Sequence, residues 1–107
     1  MTTFDDRERA FENKYAHDLE MQFRANARRN RLVGHWAATL LGKTGDDAVR
    51  YALDVVKSDF QEPGHDDVVR KLVSDLAHLA DEATIRAKMD ECMRLAKESL
   101  AKESDLG

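Results

Sequence analysis

The sequence predicts an all-α protein: a small four-helix bundle with a mobile or overhanging N-terminal segment. Three observations support this fold class. The 107 residues include only five glycines and one proline, residues that favour helices dominate the chain, and the apolar side chains recur at helical spacing. A chain of this length can bury one modest core, so we expect a single small domain.

The first helix is predicted to be unusually long. No strong helix breaker occurs between Phe4 and Leu41, so one helix there would be about 55 Å long, whereas the helices that follow would be about 20 to 33 Å. Part of it must therefore overhang the bundle or fray. The stretch from Leu32 to Leu41, which contains the single tryptophan, has enough apolar surface to belong to the bundle.

The apolar face of this helix is interrupted in its middle. At 100° per residue, one face carries Phe4, Phe11, Tyr15 and Leu19, then the polar Gln22, Asn26 and Arg29, then Val33, Trp36, Ala37 and Leu40. Residues 2–18 contain only three bulky apolar side chains among many charges, too few to hold a lone helix against its ordering entropy. This pattern is typical of a segment that folds on a partner. The alternative is that Phe11 and Tyr15 pack on the protein's own bundle.

Three shorter helices are predicted to complete the bundle. The first runs from Thr44 to Phe60 and ends before Pro63 and Gly64, the second from about Asp66 to Leu79, and the third from about Asp81 to Lys102. Their predicted core stripes are Val49, Ala52, Leu53, Val56 and Phe60; Val69, Leu72, Val73, Leu76 and Leu79; and Ile85, Met89, Cys92, Met93, Ala96 and Leu100. Short connections favour antiparallel packing.

The charge distribution argues against general nucleic-acid binding. The net charge is −4, and one short run, residues 24–31, concentrates four arginines without an acid. An acidic chain with so small a basic patch lacks the footprint of a nucleic-acid-binding protein. Three of these arginines, Arg24, Arg28 and Arg31, are expected on a solvated face. Docking on an acidic partner is the alternative.

The chain is also expected to be cytoplasmic. A single cysteine excludes an internal disulfide and fits a reducing compartment. No apolar run approaches the length of a membrane span, and the N-terminus lacks the basic and then apolar regions of a signal peptide.

The triplet Gly42, Lys43 and Thr44 matches the end of a phosphate-binding P-loop, but the rest of that motif is missing. The position of the first P-loop glycine is Ala37, and a helix runs into the triplet where the motif requires a strand. We therefore interpret Gly42 as a helix C-terminal residue and Thr44 as the cap of the next helix, with Asp47 as its capping-box partner. Weak adenine-nucleotide contact at the triplet remains an alternative.

No catalytic or metal site is predicted, and no cofactor. The four histidines are scattered, and none has a second histidine at the four-residue spacing that places two ligands on one helical face. His65, Asp66 and Asp67 form the most ligand-like string, yet they also make an ordinary helix start. Cys92 is expected to be a small buried hydrophobe.

Three long strings in the sequence carry a family resemblance: "FDDRERAFENKYAHD", "ARRNRLVGHWAA" and "FQEPGHDDV". With them the chain resembles the alphaproteobacterial zeta subunits, small inhibitors of the F-type ATP synthase. The resemblance implies a four-helix bundle, residues 19–107, that carries an inhibitory segment, residues 1–18, disordered or frayed when free. In this family the segment becomes helical on the catalytic head, wedges at an interface of the alpha and beta subunits near the gamma shaft, and stops hydrolytic rotation.

The resemblance and the residue pattern select the same part of the chain as the partner-binding site. The hypothesis assigns apolar anchoring to Phe4, Phe11, Tyr15 and Leu19, and charge complementarity to Asp5, Asp6, Arg7, Glu8, Arg9, Glu12 and Lys14. The protein would then be peripheral to the inner membrane through the ATP synthase. Two alternatives are a helical adaptor that binds another protein through the same N-terminal helix and a weak adenine-nucleotide-binding regulatory module. An enzyme is not expected.

Overall fold

The computed structural model describes the backbone of residues 3–59 and 64–106 and the side chains of residues 17–59 and 64–103. Within these ranges the chain forms four α-helices and no strand: α1 (Thr3–Leu40), α2 (Gly45–Ser58), α3 (Asp66–Leu76) and α4 (Glu82–Leu106). A short 3₁₀ helix, Ala77–Leu79, separates α3 from α4. The predicted all-α fold with four helices is confirmed. Phe60 and Pro63, which figured in the predicted second helix and its end, lie outside the described residues.

Helix α1 organises the molecule. Its 38 residues span about 57 Å, against about 37 Å for α4, so no partner helix can cover its whole length and it overhangs the bundle as predicted. It packs mainly against α2 and α4. The molecule is accordingly elongated, with principal dimensions of 62 × 30 × 22 Å.

Helices α1 and α2 run antiparallel and cross closely at Gly34. A Cβ atom added to Gly34 would lie 2.8 Å from the Cα atom of Ala52 and 3.3 Å from the Cβ atom of Val55. Arg29 faces Asp59 near the far end of α2, which establishes the antiparallel direction. Any side chain at position 34 would therefore push the two helices apart.

All four helices contribute to one core. The fully buried side chains include Val33 in α1, Val55 in α2, Val68, Leu72 and Leu76 in α3, and Ile85 in α4. Ala37 and Ala38 bring the backbone of α1 close to its neighbours, and both are completely buried. The predicted α4 stripe is confirmed at five of its six positions, since Ile85, Met89, Cys92, Ala96 and Leu100 are buried; Met93 is partly buried.

The predicted core stripe of α2 was correct at Ala52, which is buried, but wrong at Val49 and Leu53. The buried face carries Tyr51, Ala52, Val55 and Ser58, whereas Val49 and Leu53 are 49% and 43% exposed. The reason is the close approach at Gly34, which rotates Ala52 and Val55 toward α1 and leaves the bulkier pair on the other side. Three further residues that were predicted to lie in the core are also exposed, namely Leu40, Val73 and Leu79.

The junction between α3 and α4 contains no glycine or proline, yet it breaks the helix sharply. Helix α3 ends at Leu76 rather than Leu79, and Ala77 takes a positive φ of 47°, a conformation that costs a non-glycine residue about 1 to 3 kcal/mol. The Oδ1 atom of Asp81 accepts a hydrogen bond from the backbone N–H of Thr84 at 2.8 Å. A hydrogen bond with the Thr84 side chain, together with this capping bond, lowers the pKa of Asp81. The capping bond also starts α4 close to the predicted position.

Candidate partner-binding site

The predicted partner-binding segment is the N-terminal part of α1. The helical backbone includes every position from Phe4 to Leu19. The side chains of Phe4, Asp5, Asp6, Arg7, Glu8, Arg9, Phe11, Glu12, Lys14 and Tyr15 lie outside the described residues. Leu19, the last proposed anchor, is 48% exposed, so it is available to a partner.

Among the described side chains of α1, packing on the bundle begins after Leu19. Residues 17–20 are exposed, and Ala25 is the first buried position within this described part, at 5% exposure. In this part of α1, Met21 and Ala25 face Met93 and Leu100 of α4 across a cavity of about 520 Å³. The described residues therefore place the change from exposed to packed helix between positions 20 and 25.

Arg28 ties α1 to the end of α4. Its guanidinium donates hydrogen bonds to Ser99 Oγ at 2.6 Å and to Glu103 Oε1 at 2.8 Å. The hydrogen bond from Arg28 lowers the pKa of Glu103. Because Arg28 is engaged inside the protein, the predicted solvated arginine face is wrong at this position, and only Arg24 and Arg31 of that set are exposed.

Arg29 is buried, although the sequence identified it only as a polar interruption of the apolar stripe. Its side chain is 3% exposed; Nε donates to Asn30 Oδ1 at 3.0 Å, and Nη2 lies 3.0 Å from His65 Nδ1 and 3.7 Å from Asp59 Oδ2. Burial lowers the pKa of Arg29, and the Asp59 carboxylate opposes this shift. The cluster joins α1 to both ends of the α2–α3 connection.

The cluster of Arg29, Asn30, Asp59 and His65 could have been suspected from the position of Arg29 in the sequence. A charged residue on an apolar helical face requires a buried partner, because an isolated charge is too costly in a core. That partner is Asp59, and the half-exposed His65 also contacts Arg29; both lie far along the chain. His65 precedes α3 without making a side-chain capping bond, and Asp66 and Asp67 occupy the first turn as predicted.

The Gly42–Thr44 triplet forms a helix end rather than a phosphate loop. Gly42 has a positive φ of 77°, and the N–H groups of Gly42 and Lys43 donate to the carbonyls of Thr39 and Ala38 at 3.1 and 2.9 Å. This is the predicted C-terminal cap of α1. The predicted Thr44 capping bond is wrong, because its side chain makes none. Weak nucleotide contact at these residues stays a prediction.

The described residues contain no group of three or more His, Cys, Asp or Glu side chains that could hold a metal ion. Cys92 is buried, and this burial raises the pKa of its thiol, which opposes formation of a nucleophilic thiolate at neutral pH. Among the described helices, none is long and apolar enough to cross a membrane.

The comparisons with known proteins agree with the resemblance carried by the sequence. The model of the family described as ATPase inhibitor subunit zeta matches residues 1–99. A solved structure described as "Solution NMR structure of the protein" is 53% identical, with a TM-score of 0.72 over 78% of this chain and 98% of that chain. No curated protein matches. Since the family model spans nearly the whole chain, the protein belongs to the ATPase inhibitor subunit zeta family, and this membership supports a regulatory role as an inhibitor of the ATP synthase.

Proposed function

We propose that this protein inhibits ATP hydrolysis by inserting residues 1–18 into the catalytic head of the F-type ATP synthase. The segment wedges between an alpha and a beta subunit beside the gamma shaft and blocks rotation in the hydrolytic direction. The observation that carries the proposal is the geometry of α1, whose helical backbone begins at Thr3, while Ala25 is the first buried residue among its described side chains, which begin at residue 17. Family membership supports the choice of partner.

The segment would bind as an amphipathic helix in a groove. Phe4, Phe11, Tyr15 and Leu19 supply the apolar anchors, and the charged residues from Asp5 to Lys14 set the register. Burial of the three aromatic side chains contributes roughly 5 to 9 kcal/mol before ordering costs are subtracted. We propose that the free segment is a frayed helix and that the head supplies the apolar contacts it lacks.

The bundle would act as a rigid carrier and as a stop. The bundle binds α1 through both polar and packing contacts. Arg28 binds the end of α4, Arg29 binds the α2–α3 connection, and Gly34 packs on Ala52. An insert of 18 residues would be about 27 Å long as a helix. The wider bundle then remains outside the head, which places the protein peripheral to the inner membrane on the cytoplasmic side.

Deletion of residues 1–18 tests the proposal directly. ATP hydrolysis by the cognate head is measured with the full chain and with the truncated chain, and circular dichroism establishes that both remain helical. We expect inhibition by the full chain and none by the folded truncation. Equal inhibition by both would place the block on the bundle. If neither inhibits, a helical adaptor for a different protein becomes the better interpretation.

A further inference from the structure

Two large apolar side chains of α1, Leu19 and Phe23, lie exposed just beyond the proposed inhibitory segment. They are 48% and 57% exposed and one helical turn apart, so they are neighbours on the helix surface. Phe23 also has an interaction within the protein, but more than half of its surface faces solvent. Apart from the partly buried Met21, every side chain from residue 17 to residue 24 is exposed. The exposed part of α1 therefore reaches past residue 18.

Helix α4 packs on a different side of α1 at this level. Met21 faces α4 across the cavity of about 520 Å³. At 100° per residue, Met21 is about 160° from both Leu19 and Phe23. Helix α2 meets α1 farther along, since Asp59, the residue that follows α2, contacts Arg29, about 9 Å along the axis from Phe23. The exposed pair, Leu19 and Phe23, therefore lies on the side of α1 away from α4.

The exposed pair continues the aromatic line of the N-terminal segment. Phe11, Tyr15, Leu19 and Phe23 follow one another at intervals of four residues, and each such step turns only about 40° around the helix. The helical backbone of α1 is unbroken through this stretch, and Phe23 lies about 7.5 Å along the axis from residue 18. A groove that receives residues 1–18 therefore has the exposed pair at its entrance.

The end of α4 limits how far α1 can enter such a groove. Helix α4 runs antiparallel to α1, since Lys88 lies over the ring of Trp36 and Glu103 binds Arg28, and it continues to Leu106. Packed helices are about 8 to 10 Å apart, so a groove that fits one helix cannot admit both. The exposed pair lies at the depth where insertion has to stop.

We propose that the apolar contact with the catalytic head continues past residue 18 to Phe23, at the mouth of the groove that receives the segment. This inference rests on the proposed function, because it takes the head as the partner, and it adds Phe23 as a residue that sets affinity and insertion depth. The charged neighbours Asp18, Glu20 and Arg24 have both signs. The contact is therefore driven by burial of apolar surface rather than by charge.

Full-length variants test the contribution of Phe23 to inhibition. Phe23→Ala should raise the half-maximal concentration for inhibition of ATP hydrolysis about tenfold, equivalent to about 1.4 kcal/mol. Gln22→Ala is the matched control, because Gln22 is exposed at the same depth and lies about 100° away. It should change that concentration by less than about twofold. Phe23→Leu keeps an apolar side chain and should stay within about threefold of the wild type.

Photocrosslinking tests the contact while keeping an aromatic ring at position 23. Benzoylphenylalanine replaces Phe23 in one full-length chain and Leu53, which is 43% exposed on α2, in a matched control chain. On irradiation with the cognate head, position 23 should crosslink to an alpha or beta subunit, and position 53 should not. Chemical denaturation of each free variant establishes that it is folded.

Three results would overturn the inference while the proposed function stands, provided that Phe11→Ala with Tyr15→Ala weakens inhibition in the same assay. They are unchanged inhibition by Phe23→Ala, equal crosslinking from positions 23 and 53, and weaker inhibition by Phe23→Ala without a crosslink from position 23. The last result would assign Phe23 to the protein's own packing. If the wild-type chain does not inhibit the head, the proposed function fails and this inference fails with it.

Discussion

The two halves of α1 belong to one continuous helix but meet different surroundings. From Ala25 onward the buried positions are mostly small or β-branched, with Val33, Ala37 and Ala38 completely enclosed. Before that point Leu19 and Phe23 are 48% and 57% exposed, and the sequence carries widely spaced aromatic residues among charges. Small residues allow fixed neighbours to approach closely, whereas spaced large residues suit a groove on another protein. The comparison teaches that stability and partner binding should be separable along one helix.

The largest effect is expected on the free energy of unfolding, from loss of the buried charge of Arg29 in the packed half of α1. Arg29→Met removes the cation beside Asp59 and should lower the free energy of unfolding by about 3 kcal/mol, because it leaves a largely buried carboxylate without its partner. Chemical denaturation measures the change. The neighbouring Arg28→Met, whose side chain is 29% exposed, serves as control and should cost no more than about 1 kcal/mol. Equal losses for the two variants would contradict the assigned role of the cluster.

The next largest effect should fall on inhibition rather than on stability. Phe11→Ala with Tyr15→Ala removes two proposed anchors, and we expect a half-maximal inhibitory concentration about 100-fold higher, equivalent to about 2.7 kcal/mol. Asn13→Ala, about 180° from the start of the aromatic stripe, should change it little. An unchanged inhibition constant in the double variant would contradict the anchor assignment. A lower free energy of unfolding would show that Phe11 and Tyr15 pack on the protein's own bundle.

A smaller effect is expected from tightening the closest helix contact. Gly34→Ala places a Cβ atom 2.8 Å from the Cα atom of Ala52, so the helices must separate. We expect a net loss of about 1 to 2 kcal/mol in the free energy of unfolding, even though alanine favours the helix by about 1 kcal/mol over glycine. Thermal unfolding followed by circular dichroism measures it, with inhibition assayed well below the transition. A more stable variant would mean that the contact relaxes freely.

The smallest expected effect is a difference between Tyr51 and Tyr15 in how they contribute to the pH dependence of the unfolding free energy. Tyr51 donates a hydrogen bond to Asp75 Oδ2 at 2.9 Å, and burial together with this bond raises its pKa. A raised folded-state pKa contributes stability below the unfolded value of about 10, and this contribution is lost as the pH rises above that value. The difference in unfolding free energy between the wild type and Tyr51→Phe, about 1 kcal/mol, should therefore shrink above about pH 10.

Tyr15 provides the control for that measurement in the other half of the comparison. Because it is assigned to the partner-binding segment, Tyr15→Phe should leave the pH dependence of unfolding unchanged. A loss of alkaline sensitivity in Tyr15→Phe would indicate that Tyr15, like Tyr51, is enclosed by the protein's own bundle.

Much of the fold could be read from local patterns, and the errors share a cause. The α4 stripe was predicted correctly because one face of that helix concentrates Ile85, Met89 and Cys92. In α2, two overlapping faces carry comparable apolar content, and periodicity cannot choose between them. The choice follows from Gly34 in another helix, which draws Ala52 inward and leaves Val49 and Leu53 outside.

For the candidate site as well, some features were predictable from the sequence and others depend on tertiary packing. The residue pattern and the family strings selected the N-terminal segment, and the helical backbone of α1 includes it. The exposure of Val49 and Leu53 on α2 was not predicted, because it depends on which apolar residues remain uncovered after packing. Arg31 stood out as part of a basic run, but only the structure separates it from Arg28 and Arg29, which are used internally.

By itself, the sequence determined the helical fold and the positions where α1 ends and α4 begins, because capping residues, spacing and composition act over a few turns. Only the tertiary structure decided which face of α2 is buried, how Arg29 is neutralised and where Arg28 binds. These outcomes depend on residues far apart in the chain, such as Arg29 and Asp59 or Arg28 and Glu103. Their proximity is set by how closely the helices pack, and local periodicity contains no information about that distance.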